Sequence, residues 1–345
     1  MANESIRIGL IGAGKNTRDR HIPGFQSVQG VEIAAVANRS MQSGRQVADQ
    51  FNIPQVYGNW QELLEDDSLD AVCIGTWPYM HRTLTLAALE SGKHVLCEAR
   101  MAANAAEAQD MLDASKEKPE LVAQIVPSPM TFRVDDLINK QINEGYLGDL
   151  LSVEIQILGP DFVEIGGPLH WRHNRDLSGY NILSMGIWYE AMIRWAGRAT
   201  KVVAMTKVNA SYRIDENGDR VGVTIPDHVD VLCELANGAQ AHIRVSAATG
   251  LSPGNDIWLY GSEGTLHLDG KLNLSGGRRG DTQLSEIANP PDGQYAWRVE
   301  QEFIGAIRGE ETIVHTPFDV GVHYMEFTEA VTRSAQSGQA ISLPL

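Results

Sequence analysis

The segment from Gly9 to Thr17 has residues that could bind a phosphate group. It reads Gly-Leu-Ile-Gly-Ala-Gly-Lys-Asn-Thr, follows an apolar run and precedes a helical pattern. Gly12 permits a tight turn, and Gly14 lets the backbone approach a pyrophosphate at the positive end of a helix. Thr17 stands where the third glycine of the G-x-G-x-x-G fingerprint is expected. The pattern predicts a dinucleotide site that uses Gly12, Gly14, Lys15, Asn16 and Thr17.

A second polar group, Asn38, Arg39 and Ser40, follows the next apolar run. A carboxylate at this point of a nucleotide-binding fold binds the ribose 2′-hydroxyl of NAD. This chain has no carboxylate here, whereas a guanidinium and a hydroxyl suit the 2′-phosphate of NADP. The pattern therefore favours NADP over NAD. The alternative is a solvated strand end followed by a helix whose N-cap is Ser40.

Acid–base chemistry could come from the segment between His170 and Tyr180. His170 and His173 carry imidazoles that titrate near neutral pH, and Tyr180 adds a phenol. Trp171 and Arg172 lie between the histidines and could contact a substrate. The alternative interpretation is a solvated basic loop in an acidic protein.

The elements that would position these residues alternate through residues 1–126. Apolar runs occur at Ile6–Ile11, Val31–Ala37, Asp70–Gly75, His94–Cys97 and Leu121–Val126, with helical patterns between them. Such alternation predicts a parallel sheet with helices on both faces.

Residues 127–345 have a different pattern, in which strand candidates follow one another. They are Leu150–Leu158, Lys201–Val208, His228–Leu235, Gln240–Ser246, Asp256–Tyr260 and Thr265–Leu268, with a hairpin signal at Asn237-Gly238. A large, mostly antiparallel sheet in a second α/β domain is predicted. Lys271–Pro291 is typical of a surface loop, and a C-terminal helix over 318–336 could pack back on the first domain.

Two further segments resemble motifs of the glucose-fructose oxidoreductase/inositol dehydrogenase/MocA family. Residues 76–81 (Thr-Trp-Pro-Tyr-Met-His) are similar to "TPNxxH", and residues 92–100 (Gly-Lys-His-Val-Leu-Cys-Glu-Ala-Arg) resemble "GKHVLxEKP". Shorter matches at 142–148, 227–239 and 260–266 extend the resemblance over nearly all of the chain. It implies a Rossmann domain, a C-terminal α/β domain with an open sheet, and homodimers or homotetramers formed through that sheet. It also implies that Thr76, Trp77, Pro78, His81 and Glu98 help to bind the cofactor.

The chain departs from the family at the positions that handle a proton. Where the family has the Lys and Pro of Glu-Lys-Pro, this chain has Ala99 and Arg100. Where the family has the Asp and His of the helix motif "DxGxH", this chain has Ser184 and Trp188. His170, His173 or Tyr180 could replace them, with Tyr189 and Glu190 as weaker candidates. Glu98, Arg100 and Ser184 complete the predicted catalytic set. The predicted substrate contacts are Arg100, Trp171, Arg172, Trp188 and Tyr189.

Composition limits the classes of partner. The net charge of −16 would repel nucleic acids and anionic membranes. No apolar run reaches the roughly 18 residues of a membrane span, and residues 1–7 lack a secretory leader, so a cytoplasmic location is expected. Cys73, Cys97 and Cys233 are too few and too widely spaced for a disulfide framework or a zinc site. No cluster has metal-ligand spacing.

These features predict an oxidoreductase that uses NADP, or alternatively NAD, to transfer a hydride to or from a sugar-like or polyol-like substrate. Its proton donor or acceptor would be non-standard. Two alternatives stay open. One is a redox-neutral lyase or glycosidase that oxidises its substrate transiently with a bound nicotinamide. The other is a non-catalytic protein that binds NADP or a sugar.

Overall fold

The computed structural model describes residues 5–288 and 297–345, which form two compact units. Unit 1 comprises the described residues up to Pro127 together with Arg298–Val322. Unit 2 comprises the described residues between Ser128 and Trp297 together with His323–Leu345. Unit 1 is thus formed by two separate stretches of the sequence, because the chain returns to it at Arg298. The predicted domain boundary between residues 126 and 127 stays a prediction.

Unit 1 is built on a six-stranded parallel sheet of order β3-β2-β1-β4-β5-β6. The strands are β1 (Ile6–Ile11), β2 (Val31–Ala37), β3 (Gln55–Tyr57), β4 (Ala71–Ile74), β5 (His94–Cys97) and β6 (Ala123–Ile125). Every residue of β4 is buried, because helices cover both faces of a parallel sheet. This strand order is that of the Rossmann fold, in which ligands bind beyond the carboxyl ends of β1 and β4. The predicted Rossmann domain is confirmed.

Helices connect these strands, and side-chain caps mark several of their starts. They are a π-helical turn (Thr17–His21) that continues into α1 (Ile22–Gln26), then α2 (Met41–Phe51), α3 (Trp60–Leu64), α4 (Pro78–Glu90) and α5 (Ala105–Glu117). Ser40, Asn59 and Asn104 each accept the backbone N–H three residues further on, which satisfies a donor that the helix itself leaves unpaired. Within unit 1, α9 (Val299–Ile307) joins from the far end of the sequence.

Unit 2 is built on a nine-stranded sheet of order β16-β15-β14-β13-β7-β12-β11-β8-β17. Its strands are β7 (Leu150–Leu158), β8 (Ala199–Lys207), β11 (His228–Leu235), β12 (Gln240–Ser246), β13 (Asp256–Gly261), β14 (Gly264–Leu268), β15 (Leu274–Arg278), β16 (Ser285–Glu286) and β17 (Ile341–Ser342). β7 pairs with β12 in parallel, and the other neighbours pair antiparallel. The predicted mostly antiparallel sheet is confirmed.

Two features of unit 2 differ from the expectation. The segment Lys271–Pro291, expected as a surface loop, contains β15 and β16 within its described part, and Asn289–Pro291 lie outside the described residues. A separate hairpin of β9 (Tyr212–Ile214) and β10 (Arg220–Gly222) was also missed. Strands of two to five residues give too little alternation to be recognised in a sequence.

The long strands of unit 2 have one buried face and one open face. Helices α6 (Phe132–Asn143), α7 (Arg175–Ser178), α8 (Met185–Ala196) and α10 (Phe318–Ser337) complete the unit, although α10 has its first residues, up to Val322, in unit 1. On the buried face, Ser334 of α10 accepts the N–H of Ala204 in β8 at 3.0 Å. The open face carries Val203, Met205 and Leu232, which are 43, 78 and 59% exposed.

The three cysteines are buried and free. None of the described helices combines the length and apolar character that a membrane span requires.

Candidate functional site

A cavity of about 460 Å³ lies in unit 1, beyond the carboxyl ends of β1, β2 and β4. Six of the predicted cofactor residues line it: Gly12, Gly14, Asn38, Arg39, Thr76 and Trp77. The sequence did not reveal the turn between β3 and α3 (Gly58-Asn59) or the first two residues of α3 (Trp60 and Gln61), all of which also line the cavity. A two-residue turn that follows a three-residue strand offers no motif by which it could have been found.

The glycine loop shows why Thr17 can replace the third glycine of the fingerprint. Thr17 is buried, and its hydroxyl donates to the Gly12 carbonyl at 3.2 Å. A Cβ on Gly75, after β4, would stand 2.1 Å from Thr17 Oγ1 and 2.3 Å from the Gly12 carbonyl oxygen. Gly75 therefore provides the room that a third glycine provides elsewhere. Gly12 itself has a φ of 84°, which favours glycine.

Gly14 lies where a ligand could approach the helix start. A Cβ on Gly14 would meet only the Gly75 carbonyl oxygen, at an ordinary contact of 3.6 Å. Packing within the protein therefore does not demand glycine here, whereas approach by a pyrophosphate would. Thr76 supports the same interpretation, because its hydroxyl is buried and finds no hydrogen-bond partner among the described residues. The cavity thus fits a dinucleotide cofactor.

The three residues after β2 have different tasks. Asn38 accepts the Ala13 N–H at 2.7 Å and donates to the Ser43 carbonyl at 3.1 Å, so its side chain is committed to the backbone. Ser40 caps α2, as in the alternative interpretation. Arg39 lines the cavity, is exposed, and forms no hydrogen bond or ion pair within the described part of the chain. It is therefore available to a phosphate.

Other predicted cofactor residues support the loops around the cavity. His81 is fully buried, with Nδ1 2.9 Å from the Arg100 carbonyl and Nε2 3.0 Å from the Thr76 carbonyl. Burial lowers the pKa of His81. Its ring ties the loop after β4 to the loop after β5. Pro78 is buried as the first residue of α4, and Lys15 is an exposed partner of Asp19.

Glu98, directly after β5, belongs to a buried network in unit 1 that the sequence did not reveal. His21 Nε2 donates to Glu98 Oε1 at 3.0 Å, and His21 Nδ1 donates to Glu300 Oε1 at 2.5 Å. The side chains of His21 and Glu300 are 0% exposed, and that of Glu98 is 13% exposed. Asn16 also donates to Glu98 Oε1. Glu98 is thus the end of the network nearest to solvent.

The charges of this network decide its protonation. Burial acts to lower the pKa of His21, but the hydrogen bonds to Glu300 and Glu98 outweigh it and raise the pKa to about 9. Burial likewise acts to raise the pKa of Glu98, but His21 and Asn16 bring it below its ordinary value. An imidazolium therefore holds an ionised Glu98 in one position. A carboxylate held in this way can accept hydrogen bonds from a ligand, but it is a weak base.

The segment before α8 contributes to a second cavity, of about 270 Å³, within unit 2. His170 is the N-cap of a short 3₁₀ turn (Trp171–His173), and His173 is the last residue of that turn. Both histidines line the cavity, together with Arg172 and Arg213. His170 Nδ1 accepts the Arg172 N–H at 3.3 Å, and His173 Nδ1 accepts the His170 N–H at 3.1 Å. In the neutral form each ring therefore carries its proton on Nε2. Tyr180 is half-buried, with its ring centre 5.5 Å from the guanidinium carbon of Arg175.

Comparison with known protein families agrees with both units. A model described as "Oxidoreductase family, NAD-binding Rossmann fold" matches residues 6–125, and the "GFO/IDH/MocA C-terminal domain" matches residues 137–267. The chain belongs to the Gfo/Idh/MocA oxidoreductase family.

Two proteins similar in sequence and one solved structure similar in fold share 20–26% identity with this Gfo/Idh/MocA chain. The trans-1,2-dihydrobenzene-1,2-diol dehydrogenase of Mus musculus is 26% identical, over 76% of this chain and 74% of that protein. An uncharacterised oxidoreductase of Rhizobium meliloti is 24% identical, over 96% of this chain and 98% of that protein. Levoglucosan dehydrogenase, in complex with NADH and L-sorbose, has a TM-score of 0.87 at 20% identity, with 99% of each chain covered. That structural likeness shows the fold.

Several predicted substrate and catalytic residues of this Gfo/Idh/MocA chain are structural. Tyr189 is 0% exposed, accepts the Ala199 N–H at 2.9 Å, bonds His323 at 2.7 Å and stacks on Phe327 at 3.6 Å. It is a core residue and no longer a substrate candidate. Glu190, also buried, accepts the Ser128 N–H at 2.5 Å and pairs with Arg194 at 2.7 Å.

Two further predicted contacts are also buried. Trp188 is 3% exposed, so its indole face is not open to a sugar ring. Arg100 is likewise 3% exposed and cannot reach a substrate without moving. Ser184, at the start of α8, is half-buried and stays a prediction, as do Trp171 and Arg172. Within residues 5–288 and 297–345, no group of three or more His, Cys, Asp or Glu could hold a metal ion.

Proposed function

We propose that the protein is an NADP-dependent dehydrogenase of a sugar-like or polyol-like alcohol, in which Tyr180 carries the proton. Its family is one of NAD-binding oxidoreductases. Two relatives are named as dehydrogenases, one of levoglucosan and one of trans-1,2-dihydrobenzene-1,2-diol. The observation that carries the proposal is the cavity of unit 1, with an unpaired guanidinium at its edge and no carboxylate at the ribose position.

The choice of NADP rests on Arg39 and Asn38. Arg39 lines the cavity and has no hydrogen-bond or ion-pair partner among residues 5–288 and 297–345. A planar guanidinium binds phosphate with two parallel hydrogen bonds. Asn38 brings no negative charge to repel that phosphate. Gly12 and Gly14 would hold the pyrophosphate, and Glu98 would accept a hydrogen bond from the nicotinamide half.

The choice of Tyr180 rests on elimination among the titratable residues of the candidate site. When bound, the nicotinamide accepts or returns the hydride of the alcohol carbon. The hydroxyl proton must then move to a protein group, and the same group must return it in the reverse direction. Neutral His170 and His173 accept backbone N–H groups at Nδ1 and carry their proton on Nε2, so neither ring has a nitrogen free to take the substrate proton. The phenol oxygen of the half-buried Tyr180 keeps lone pairs, so it can take that proton while its own proton passes to solvent, and the reverse reaction runs the same transfer backwards. Glu98 is held as a carboxylate of lowered pKa.

The test of this function is steady-state NADPH formation with a panel of polyols. The wild-type protein should reduce NADP, and Tyr180→Phe should lower kcat about 10²–10⁴-fold, the usual effect of a lost acid–base group. Its dissociation constant for NADP should not change. Tyr260→Phe, on the open face of the sheet, is the matched control and should keep full activity. Substrate turnover without net NADPH would instead identify the redox-neutral alternative.

The open face of the nine-stranded sheet supports a homo-oligomer as the working assembly. Val203 and Leu232 are register partners on neighbouring strands, and Met205 lies two residues further along the same face. Exposed apolar side chains that adjoin in this way are typical of a surface covered by another chain. We expect a second copy to cover it, and Met205→Glu with Leu232→Glu should give monomers in analytical ultracentrifugation. A cytoplasmic location stays a prediction.

A further inference from the structure

We infer that the cavity of unit 2 binds an oxyanion group of the substrate, a carboxylate or a phosphate, through Arg213, His170 and His173. The inference rests on the proposed function and names its substrate class, a sugar acid or a sugar phosphate. It depends on which polar groups face the cavity, on how each is already engaged, and on the size of the cavity.

The two histidines are fixed as hydrogen-bond donors. Backbone N–H groups occupy Nδ1 of both rings, so each ring has its proton on Nε2. A second proton on Nδ1 would face those N–H groups directly. Burial and the nearby Arg213 lower the pKa of His173, and burial and Arg172 lower that of His170, which is consistent with neutral rings. Both rings can therefore donate to a ligand and neither is placed to accept from one.

Arg213 provides the charge. It lies in β9 and lines the cavity, and its Nε is buried without a hydrogen-bond partner among the described residues. A buried donor without a partner loses its hydrogen bond to water and gains none in return, so each such group in a native structure calls for an explanation, such as a ligand. A ligand oxygen would be such a partner, and a guanidinium is the best geometric match for a carboxylate or phosphate.

The carboxylates near the cavity do not neutralise this donor set. Asp227 lines the cavity, but its two oxygens accept the N–H groups of Asn209 and Ala210 and the Asn209 amide, at 2.7–3.1 Å. Glu164 lies near Arg213 across Gly167, yet Arg213 forms no ion pair within 4.0 Å in the described residues. The cavity wall therefore presents the guanidinium groups of Arg172 and Arg213 against the single carboxylate of Asp227, whose oxygens already accept N–H groups of the protein.

The size of the cavity suits a small ligand. Small-molecule sites usually measure about 300–1,000 Å³, and this cavity is about 270 Å³. Val223 and Ile225 form apolar walls, which exclude water and so strengthen hydrogen bonds to a charged group. A nucleotide would not fit here, whereas the charged end of a monosaccharide would.

The test compares matched substrates and matched arginines. Kinetics with NADP are measured for D-gluconate, D-glucose 6-phosphate and the neutral D-sorbitol, in wild type, Arg213→Gln and Arg220→Gln. Arg220 lies on the neighbouring strand, packs on Tyr212 at 3.6 Å and does not line the cavity. An acidic substrate should have a KM at least 10-fold below that of sorbitol. Arg213→Gln should raise the KM of the acidic substrate about 10–100-fold and leave the KM of sorbitol unchanged. The control variant Arg220→Gln should have the same KM values as the wild type for all three substrates.

The outcomes separate this inference from the proposed function. Faster turnover of sorbitol than of either acid, with no effect of Arg213→Gln, overturns the inference and leaves the dehydrogenase intact. Calorimetric binding of gluconate or glucose 6-phosphate that Arg213→Gln abolishes, without any NADPH formation, supports the inference and overturns the dehydrogenase. No binding and no turnover overturns both.

Two further measurements complete the test. If Arg213→Gln does not fold, His173→Gln should weaken the binding of the acid about 10-fold, and an unchanged affinity would count against the inference. Which of gluconate and glucose 6-phosphate has the lower KM identifies the oxyanion as carboxylate or phosphate.

Discussion

Histidine side chains have opposite electrostatic surroundings in the two units. His21 in unit 1 lies between Glu98 and Glu300, which raise its pKa to about 9 and keep it charged. In unit 2, burial and then the nearby Arg172 and Arg213 lower the pKa values of His170 and His173, and backbone N–H groups at Nδ1 hold both rings neutral. The difference teaches that polar groups paired inside the protein maintain its structure, whereas donors left unpaired at a cavity are available to a ligand.

The largest expected effect comes from removing the imidazole of His21, which is paired with two carboxylates. His21→Ala leaves two carboxylates facing each other in the interior, and removal of one partner of a buried ion pair costs about 3–5 kcal/mol. We expect the free energy of unfolding from urea titration to fall by that amount. His173→Ala, at the open cavity, is the control and should change it by about 1 kcal/mol or less. Equal losses in the two variants would contradict the distinction.

The pH dependence of stability should come from the same network. Because the pKa of His21 is about 9 in the folded state and 6.5 ordinarily, its stabilisation is complete below pH 6.5 and is lost as the pH rises through 9. This difference corresponds to about 3 kcal/mol. We expect the Tm from calorimetry to fall by on the order of 5–10 °C over that interval. His21→Gln should be less stable at pH 6.5 and show a much flatter profile, and a fall as steep as that of wild type would assign the effect to another group.

The smallest expected effect concerns an unpaired donor in unit 1. Arg39→Gln should raise the dissociation constant of NADP about 10–100-fold, the range for a lost charge-assisted hydrogen bond to phosphate. The Tm and the dissociation constant of NAD should stay the same, because Arg39 supports no other residue. Arg45→Gln, an exposed arginine of α2 that does not line the cavity, is the matched control. If the ratio of NADP to NAD affinity is the same in Arg39→Gln and in the wild type, the proposal that the protein prefers NADP is wrong.

Local patterns were enough to predict the long strands of both sheets and six of the residues that line the cofactor cavity. β5, β7, β11 and β12 have the predicted bounds, because alternating or continuous apolar runs are local properties of the sequence. Gly12, Gly14, Asn38 and Arg39 line the cavity, because a Rossmann fold brings the ends of its first strands together. Lys15, Asn16, Thr17 and Ser40, from the same two predicted segments, do not line it.

Contacts between distant positions could not be predicted in this way. His21 and Glu300 are 279 positions apart, and Glu300 lies in α9, a helix with no motif to mark it. Gly24 makes room for Glu300, since a Cβ there would stand 2.5 Å from its Oε2, but a glycine in a short helix has many explanations. Arg213 was missed because a three-residue strand has no recognisable pattern, and its significance lies in the partner it lacks.

The hydrogen bonds of Asn38 limit how the preference for NADP over NAD could be changed by substitution. Its amide joins two backbone segments, accepting from Ala13 and donating to Ser43. The substitution Asn38→Asp, the simplest route towards NAD, would keep the first bond but turn a carboxylate oxygen towards the Ser43 carbonyl. The side chain at position 38 would then no longer connect the glycine loop to the start of α2 by hydrogen bonds. Because Asn38 affects both the coenzyme preference and the loop structure, a variant designed to prefer NAD would need another hydrogen-bond donor for the Ser43 carbonyl.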